Sequence, residues 1–323
     1  MKPDLFQAPD YYNLDDLLTD EHKLVRDSAR AWVKREVSPI IEEYAQKAEF
    51  PHQIVKGLGE IGGFGPYIPE EYGGAGLDQI SYGLIMQEIE RGDSGVRSTS
   101  SVQSSLVMYP IWKFGNEEQR MKYLPKLASG EFMGCFGLTE PEVGSGAAGG
   151  LTVTCKKTPE GWVLNGQKKW IGNATFADII IIWARDLDSG EVKGFIVEKD
   201  NPGFSVEKIK GKMALRIVQN GLITLKDCIV TEENRLQNAN SFKDTAKVLQ
   251  MTRAGVAWQA VGCARGAYEN ALDYTRTRKQ FGKPIASFQL IQNHLVEMLS
   301  NLTAMQTLCF RLSQLQDQGL LKD

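Results

Sequence analysis

The period of the apolar residues changes twice along the chain, and each change marks a change of secondary structure. Up to about residue 130 they recur at three- and four-residue spacing. Val25, Ala29, Trp32 or Val33 and Val37 follow Asp20, then come Tyr82, Ile85, Met86 and Ile89, and Glu117 leads to Leu124 and Leu127. Each set marks one face of a helix. A Pro and Gly loop, PEEYGGAGLD at 69–78, interrupts the pattern. From about 135 to 235 the period falls to two. WVLNGQKKW (162–170) sets Asn165-Gly166 between two strand-like runs and predicts a hairpin there. IIIIWA (179–184), GFIVEK (194–199) and GLITLKDCIV (221–230) add strands.

Helical spacing returns after Ser241, where Asp244 stands three residues on as in a capping box. Val248, Met251, Val256, Ala260, Cys263, Ala267, Ala271 and Tyr274 hold it until Gly282 and Pro284. A second helix from about Ser287 carries Leu290, Leu295, Met298, Leu302 and Met305. Gly255, Gly262, Ala264 and Gly266 permit close helix packing. The pattern predicts an α+β chain: an N-terminal helical domain (1–134), a small antiparallel β-barrel or sandwich (135–236) and a helical bundle (237–323). Two long helices leave apolar faces uncovered, so either a partner completes the bundle or the natural chain continues past Asp323.

Composition removes several functional classes. A net charge of -3 in 323 residues, with Lys and Arg scattered among acids, offers no basic stripe for nucleic acid. The longest purely apolar run, Ile179 to Ala184, is far below the ~18 residues of a membrane span, and Met1-Lys2-Pro3-Asp4 opens no signal core. Five dispersed cysteines without CxxC spacing read as reduced intracellular thiols, and three histidines make a metal site improbable.

CFGLTEPEVGSG (135–146) carries the chemistry. A strand runs into Thr139, Glu140 and Pro141, and two glycines then bracket Ser145. A turn is one account of this. The other is that backbone N–H groups and short hydroxyls face an anionic, aromatic ligand.

PEEYGGAGLD, KYLPKLASGEFMGCFGLTEPEVGSG, LNGQKKWIGNA and TRTRKQFGKPIASFQLIQ together resemble the acyl-CoA dehydrogenases in order and spacing over essentially the whole chain. GVRSTSSVQSSLVMYPI (95–111) is similar to the glutaryl-CoA dehydrogenase branch. The resemblance implies FAD as cofactor, an acyl-CoA substrate, electron-transfer flavoprotein as acceptor, a homotetramer and a place in lysine and tryptophan degradation. The compartment it implies is the bacterial cytoplasm, or the mitochondrial matrix in a eukaryote.

Residue by residue, the resemblance gives two flavin walls. Phe136, Leu138, Thr139, Gly144 and Ser145 form one, with Ser145 also near substrate, and Trp170, Ile171 and Gly172 form the other. Arg278, Gln280, Phe281 and Gln289 match positions that touch FAD, often that of a neighbouring subunit. Ala246, Leu249 and Arg253 match the segment along the acyl-CoA, with Arg253 as its polar anchor. Arg97, with Ser98 and Ser101, would grip the distal carboxylate of glutaryl-CoA, because a buried guanidinium in an acyl pocket needs a counter-ion.

The implied reaction removes an α proton, passes the β hydrogen to flavin as hydride and, in glutaryl enzymes, releases carbon dioxide. It requires a carboxylate base. The family's usual Glu is expected beyond Asp323, and Thr252 occupies the alternative position before the helix Arg. Gly146 and Gly172 replace a frequent Asp and Thr. Two alternatives stay open: a straight-chain short acyl-CoA dehydrogenase, and a non-catalytic or partner-dependent subunit that binds FAD or acyl-CoA.

Overall fold

The computed structural model describes residues 9–321; the readings of Met1-Lys2-Pro3-Asp4 and of Asp323 lie outside the described residues. The elements used below are helices α1 (Asp20–Trp32), α2 (Gln79–Gly92), α3 (Ser94–Ser101) and α4 (Glu117–Ser129), then strands β1 (Gly134–Gly137), β2 (Thr154–Thr158), β3 (Gly161–Ile171), β4 (Ile179–Asp186), β5 (Val192–Glu198), β6 (Phe204–Lys208) and β7 (Gly221–Val230). Helix α5 (Phe242–Thr277), the short strands β8 (Lys279–Gln280) and β9 (Lys283–Pro284), and helix α6 (Gln289–Asp317) follow. The chain divides into two compact units.

The first unit comprises Met1–Pro39, Asp78–Arg97 and Ala254–Asp323. Thr19 opens α1 with a capping box: its hydroxyl accepts the His22 N–H, and His22 Nδ1 accepts the Thr19 N–H, both at 3.2 Å. Ala29, Trp32, Val33 and Val37 are buried as the spacing predicts. In α2 every residue from Ile80 to Arg91 is buried, charged ones included. Such charges must be paired. Glu88 accepts from Arg30 Nε at 3.1 Å and from Arg91 Nη1 at 2.8 Å, and Arg91 Nε donates to Glu269 of α5 at 2.7 Å. Close approach rests on glycine: a Cβ on Gly83 would lie 2.2 Å from the Trp258 indole, and one on Gly262 would lie 2.6 Å from Gln87 O.

The buried face of α5 in this unit is Ala254, Trp258, Val261 and Tyr268, packed with Leu302 and Cys309 of α6. Several residues that carry the sequence's helical spacing, Val256, Ala260, Cys263, Ala267 and Tyr274, are instead exposed. An α5 with two apolar stripes cannot be oriented by periodicity alone; Gly262 and Gly266, where a Cβ would lie 2.6 Å from Gln87 O and 3.0 Å from Arg91 O, mark the packed side.

The second unit comprises Ile40–Leu77 and Ser98–Arg253. Its sheet runs β1-β4-β2-β3-β7-β6, with β5 beside β4. The expected antiparallel pairing holds except that β1 and β2 run parallel to β4, neither being joined to it by a hairpin. Cys135, Val153, Leu164, Ile180, Ile182, Phe195, Ile223 and Cys228 fill its core.

The hairpin expected at Asn165-Gly166 is not there. The reversal lies at Pro159 and Glu160, between β2 and β3, and β3 runs on unbroken to Ile171. Leu164 faces Cys228 while Gly166 faces Leu225, so β7 carries an extra residue opposite Asn165. Asp227 takes a left-handed φ of 47° there, and the Asn165 side chain holds it, accepting the Asp227 N–H at 2.8 Å. Gly166 has φ 128°, and a Cβ there would lie 2.9 Å from Val153. Asn-Gly thus reports backbone that wants glycine, here at a bulge and not at a chain reversal. At the start of α5 the Asp244 carboxylate accepts the Ser241 N–H at 3.2 Å, which is the reciprocal arm of the expected capping box.

Candidate active site

A cavity of about 350 Å³ lies within the second unit. Five segments build its wall. Phe136 comes from β1, and Leu138 and Thr139 from the chain just beyond it. Trp170, Ile171 and Gly172 come from the end of β3. Ser98, Val102 and Leu106, at four-residue spacing, come from one helical face that continues from α3 into a π-helical stretch at Val102–Met108. Leu249 and Thr252 come from α5, and Leu215, Val218 and Asn220 from the loop before β7.

A second bulge sets Trp170. Lys168 faces Ile223 and Ile171 faces Gly221, so β3 carries the extra residue at this point. Trp170 has φ 65° and is 54% exposed, its indole turned out of the sheet alternation. Its carbonyl accepts from Asn220 Nδ2 at 2.9 Å, and Asn220 Oδ1 accepts from Lys212 Nζ at 2.6 Å. Lys212 also donates to Leu215 O and Val218 O, at 2.8 and 2.6 Å. One ammonium therefore organises the loop that supplies Leu215, Val218 and Asn220, and burial lowers its pKa.

Among the described residues no charged side chain lines this cavity; its polar groups are Ser98, Thr139, Asn220 and Thr252. A mostly apolar hollow with a few polar groups, flanked by a half-exposed indole, suits a flat aromatic ligand. Thr252 Oγ1 donates to Leu249 O at 2.7 Å. The lining residues include no carboxylate to serve as a base.

The structure brings Ser98, Phe136, Leu138, Thr139, Trp170, Ile171, Gly172 and Leu249 into one wall. Ser101 lies on α3, where its hydroxyl donates to Ser98 O at 3.1 Å. Gly144 and Ser145 stand in an exposed loop, and Ala246 and Arg253 are exposed on α5. A Cβ on Gly144 or Gly146 would meet nothing within 4 Å, whereas one on Gly137 would strike Ile182 at 2.5 Å. Only Gly137 in this stretch is demanded by the chain's own packing.

In the first unit Arg97 is buried and its Nε donates to Glu90 Oε2 at 2.7 Å. Arg278, Gln280, Phe281 and Gln289 are all exposed. Gln280 and Lys283 pair across a two-residue turn in which Phe281 and Gly282 both have positive φ, 51° and 79°. This leaves Phe281 92% exposed.

Sequence reasoning passes over Val102 and Leu106, although their i+4 spacing from Ser98 signals one helix face. It also passes over Leu215, Val218 and Asn220, which stand in a loop without periodicity.

Comparison with known proteins bears on this site. Residues 19–131, 135–228 and 242–322 match the models of the acyl-CoA dehydrogenase N-terminal, middle and C-terminal domains. An acyl-CoA dehydrogenase of Bacillus subtilis (strain 168) is 39% identical over 307 residues, covering 94% of this chain and 81% of the relative. A glutaryl-CoA dehydrogenase from Mycobacterium smegmatis in complex with FADH2 superposes with a TM-score of 0.93 at 34% identity, over 96% of this chain and 80% of that one. Butyryl-CoA dehydrogenase from Megasphaera elsdenii gives a TM-score of 0.88 at 34% identity, over 94% and 81%. With the three family models matched in order and a relative of this identity covered over most of its length, the chain belongs to the acyl-CoA dehydrogenase family.

Proposed function

We propose that the chain binds FAD in the cavity of its second unit and acts on a short acyl-CoA, with glutaryl-CoA as the preferred thioester. FAD, when bound, supplies the hydride acceptor. Trp170 offers an aromatic face and Thr139 a hydroxyl, while the buried Leu138 and Ile171 add apolar surface to the wall. The open space at Gly144 and Gly146 leaves room for an extended phosphate-bearing ligand beside Ser145. Val102, Leu106 and Leu249 suit a short acyl chain.

The observation that carries the glutaryl reading is the buried Arg97 directly before Ser98 in one helix. A buried guanidinium next in sequence to a lining hydroxyl supports recognition of a distal carboxylate. A second reading, a straight-chain short acyl group, draws support from the Arg97–Glu90 pair, which already balances that charge, and from the uncharged lining.

Electron-transfer flavoprotein as acceptor and a tetrameric assembly belong to the same proposal. Among the described residues no helix is long and apolar enough to cross a membrane. The test is incubation of the FAD-loaded protein with glutaryl-CoA and an artificial electron acceptor. Formation of crotonyl-CoA and carbon dioxide supports the glutaryl reading. Turnover of butyryl-CoA with none of glutaryl-CoA favours the second. Tight thioester binding without turnover by either favours a binding subunit that takes its base from elsewhere.

A further inference from the structure

Leu138 and Thr139 form part of the cavity wall, yet they lie beyond the last paired residue of β1, outside any regular strand ladder. What holds them comes from behind. Lys168 of β3 is fully buried, and its Nζ donates to Glu140 Oε1 at 2.8 Å and to Leu138 O at 3.1 Å. Glu140 is 2% exposed and accepts three further bonds: from the Thr152 N–H and hydroxyl, both at 2.6 Å, and from the Val153 N–H at 3.0 Å. Thr139 O accepts the Lys169 N–H at 2.9 Å, and the Glu140 N–H donates to Val143 O at 2.9 Å. Residues 138–140 are thus fastened one after another to β3, to the chain entering β2 or to their own turn.

Burial lowers the Lys168 ammonium to about 8 despite the opposing carboxylate. Burial alone would raise Glu140, but hydrogen bonds from Lys168 and Thr152 and the charge of Lys168 hold it below the usual carboxylate range. A buried pair of this kind adds little stability over apolar residues of the same volume, so stability is a weak account of its presence. Its geometry offers a better one. An apolar side chain at 168 cannot bond the Leu138 carbonyl, and one at 140 cannot gather the Thr152 and Val153 N–H groups.

We propose that Lys168 and Glu140 are positioning residues that fix the main chain of Leu138 and Thr139, so that the wall meets the flavin in one geometry. The proposal rests on the FAD reading of the cavity. It is tested with Lys168→Met/Glu140→Gln, which removes both charges at nearly constant volume, and with Thr152→Val, which removes a single donor to Glu140. Hydrogen exchange of the FAD-free proteins is read first, at residues 138–143 and at β4 and β5 as an internal control. FAD affinity and the visible spectrum of the bound flavin are read second.

The double variant is expected to exchange at least about tenfold faster at 138–143 alone. It is also expected to bind FAD about tenfold more weakly, the worth of one charge-assisted hydrogen bond, with a shifted flavin band. Thr152→Val is expected to show the same exchange effect, smaller. Unchanged exchange at 138–143 in the double variant overturns the proposal whatever the FAD affinity. If the double variant does not fold, unchanged exchange in Thr152→Val overturns it. A wild-type chain that binds no FAD sinks the cavity reading instead, while the exchange comparison still decides whether the pair holds the loop.

Discussion

Replacing Arg97 by Met leaves the Glu90 carboxylate, 4% exposed, without the cation whose Nε lies 2.7 Å away. The Ser94 hydroxyl also bonds Glu90 but carries no charge to balance it. Breaking one partner of such a pair costs about 3–5 kcal/mol, against a total stability of roughly 5–15 kcal/mol. Arg97→Met alone therefore confounds a folding defect with a binding defect. Arg97→Met/Glu90→Gln removes both charges and is expected to melt within a few degrees of the wild type.

In that background the two readings of the substrate separate. If Arg97 meets a distal carboxylate, the double variant loses about 2–4 kcal/mol with glutaryl-CoA, roughly 30- to 1,000-fold in Kd. Butyryl-CoA, which has no second carboxylate, keeps its affinity within about threefold. The assay is equilibrium titration of the FAD-loaded proteins, followed through the flavin absorbance, beside a thermal melt of each variant. Equal weakening for both thioesters, or no weakening for either, refutes the role given to Arg97 and leaves it as the structural partner of Glu90.

Three further outcomes follow from the described geometry. Gly83→Ala places a methyl group 2.2 Å from the Trp258 indole and should destabilise the first unit by about 1–3 kcal/mol; an unchanged denaturation midpoint would contradict the close packing of α2 on α5. Glu88 is held down to about 2: burial alone would raise it, but the charges of Arg91 and Arg30 outweigh that. Because the folded value lies below the unfolded one, its contribution of about 3 kcal/mol is fully present above pH ~4.5 and is lost as pH falls toward 2. Glu88→Gln should flatten the acid limb of the stability curve over that window, and a parallel curve would show that the carboxylate is not so held. Trp170→Ala, at an exposed indole whose removal opens no core cavity, should leave the melting temperature within a few degrees and weaken FAD binding by about tenfold or more; unchanged FAD affinity would remove Trp170 from the site.

The change of apolar period made the division into helical and β segments legible, because side-chain alternation follows directly from backbone geometry. Local dipeptides told less. Asn165-Gly166 marked a place where the backbone wants glycine, and only the register of β7 reveals a bulge there. The capping signal at Ser241 and Asp244 was legible since it needs only four residues. The packed face of α5 was not, because Val256, Ala260 and Cys263 are as apolar as Ala254 and Val261, and the close approach that marks the buried side is made at Trp258, against Gly83, and at Gly262, against Gln87 and Glu90, all far away in sequence. The two walls Phe136–Thr139 and Trp170–Gly172 were reached through resemblance, whereas Leu215, Val218 and Asn220 needed the loop that Lys212 organises. Lys168 looks in sequence like any strand lysine; its burial appears only once Glu140 and Leu138 are placed beside it.

Anaerobic titration of the FAD-loaded protein with glutaryl-CoA decides whether the second-unit cavity holds FAD with the glutaryl thioester against it. One FAD is expected to be retained per chain, with a saturable change of the flavin absorbance that occurs at lower concentration with glutaryl-CoA than with butyryl-CoA. A protein from which FAD passes freely through a desalting column, or whose bound flavin responds to butyryl-CoA and is indifferent to glutaryl-CoA, contradicts it.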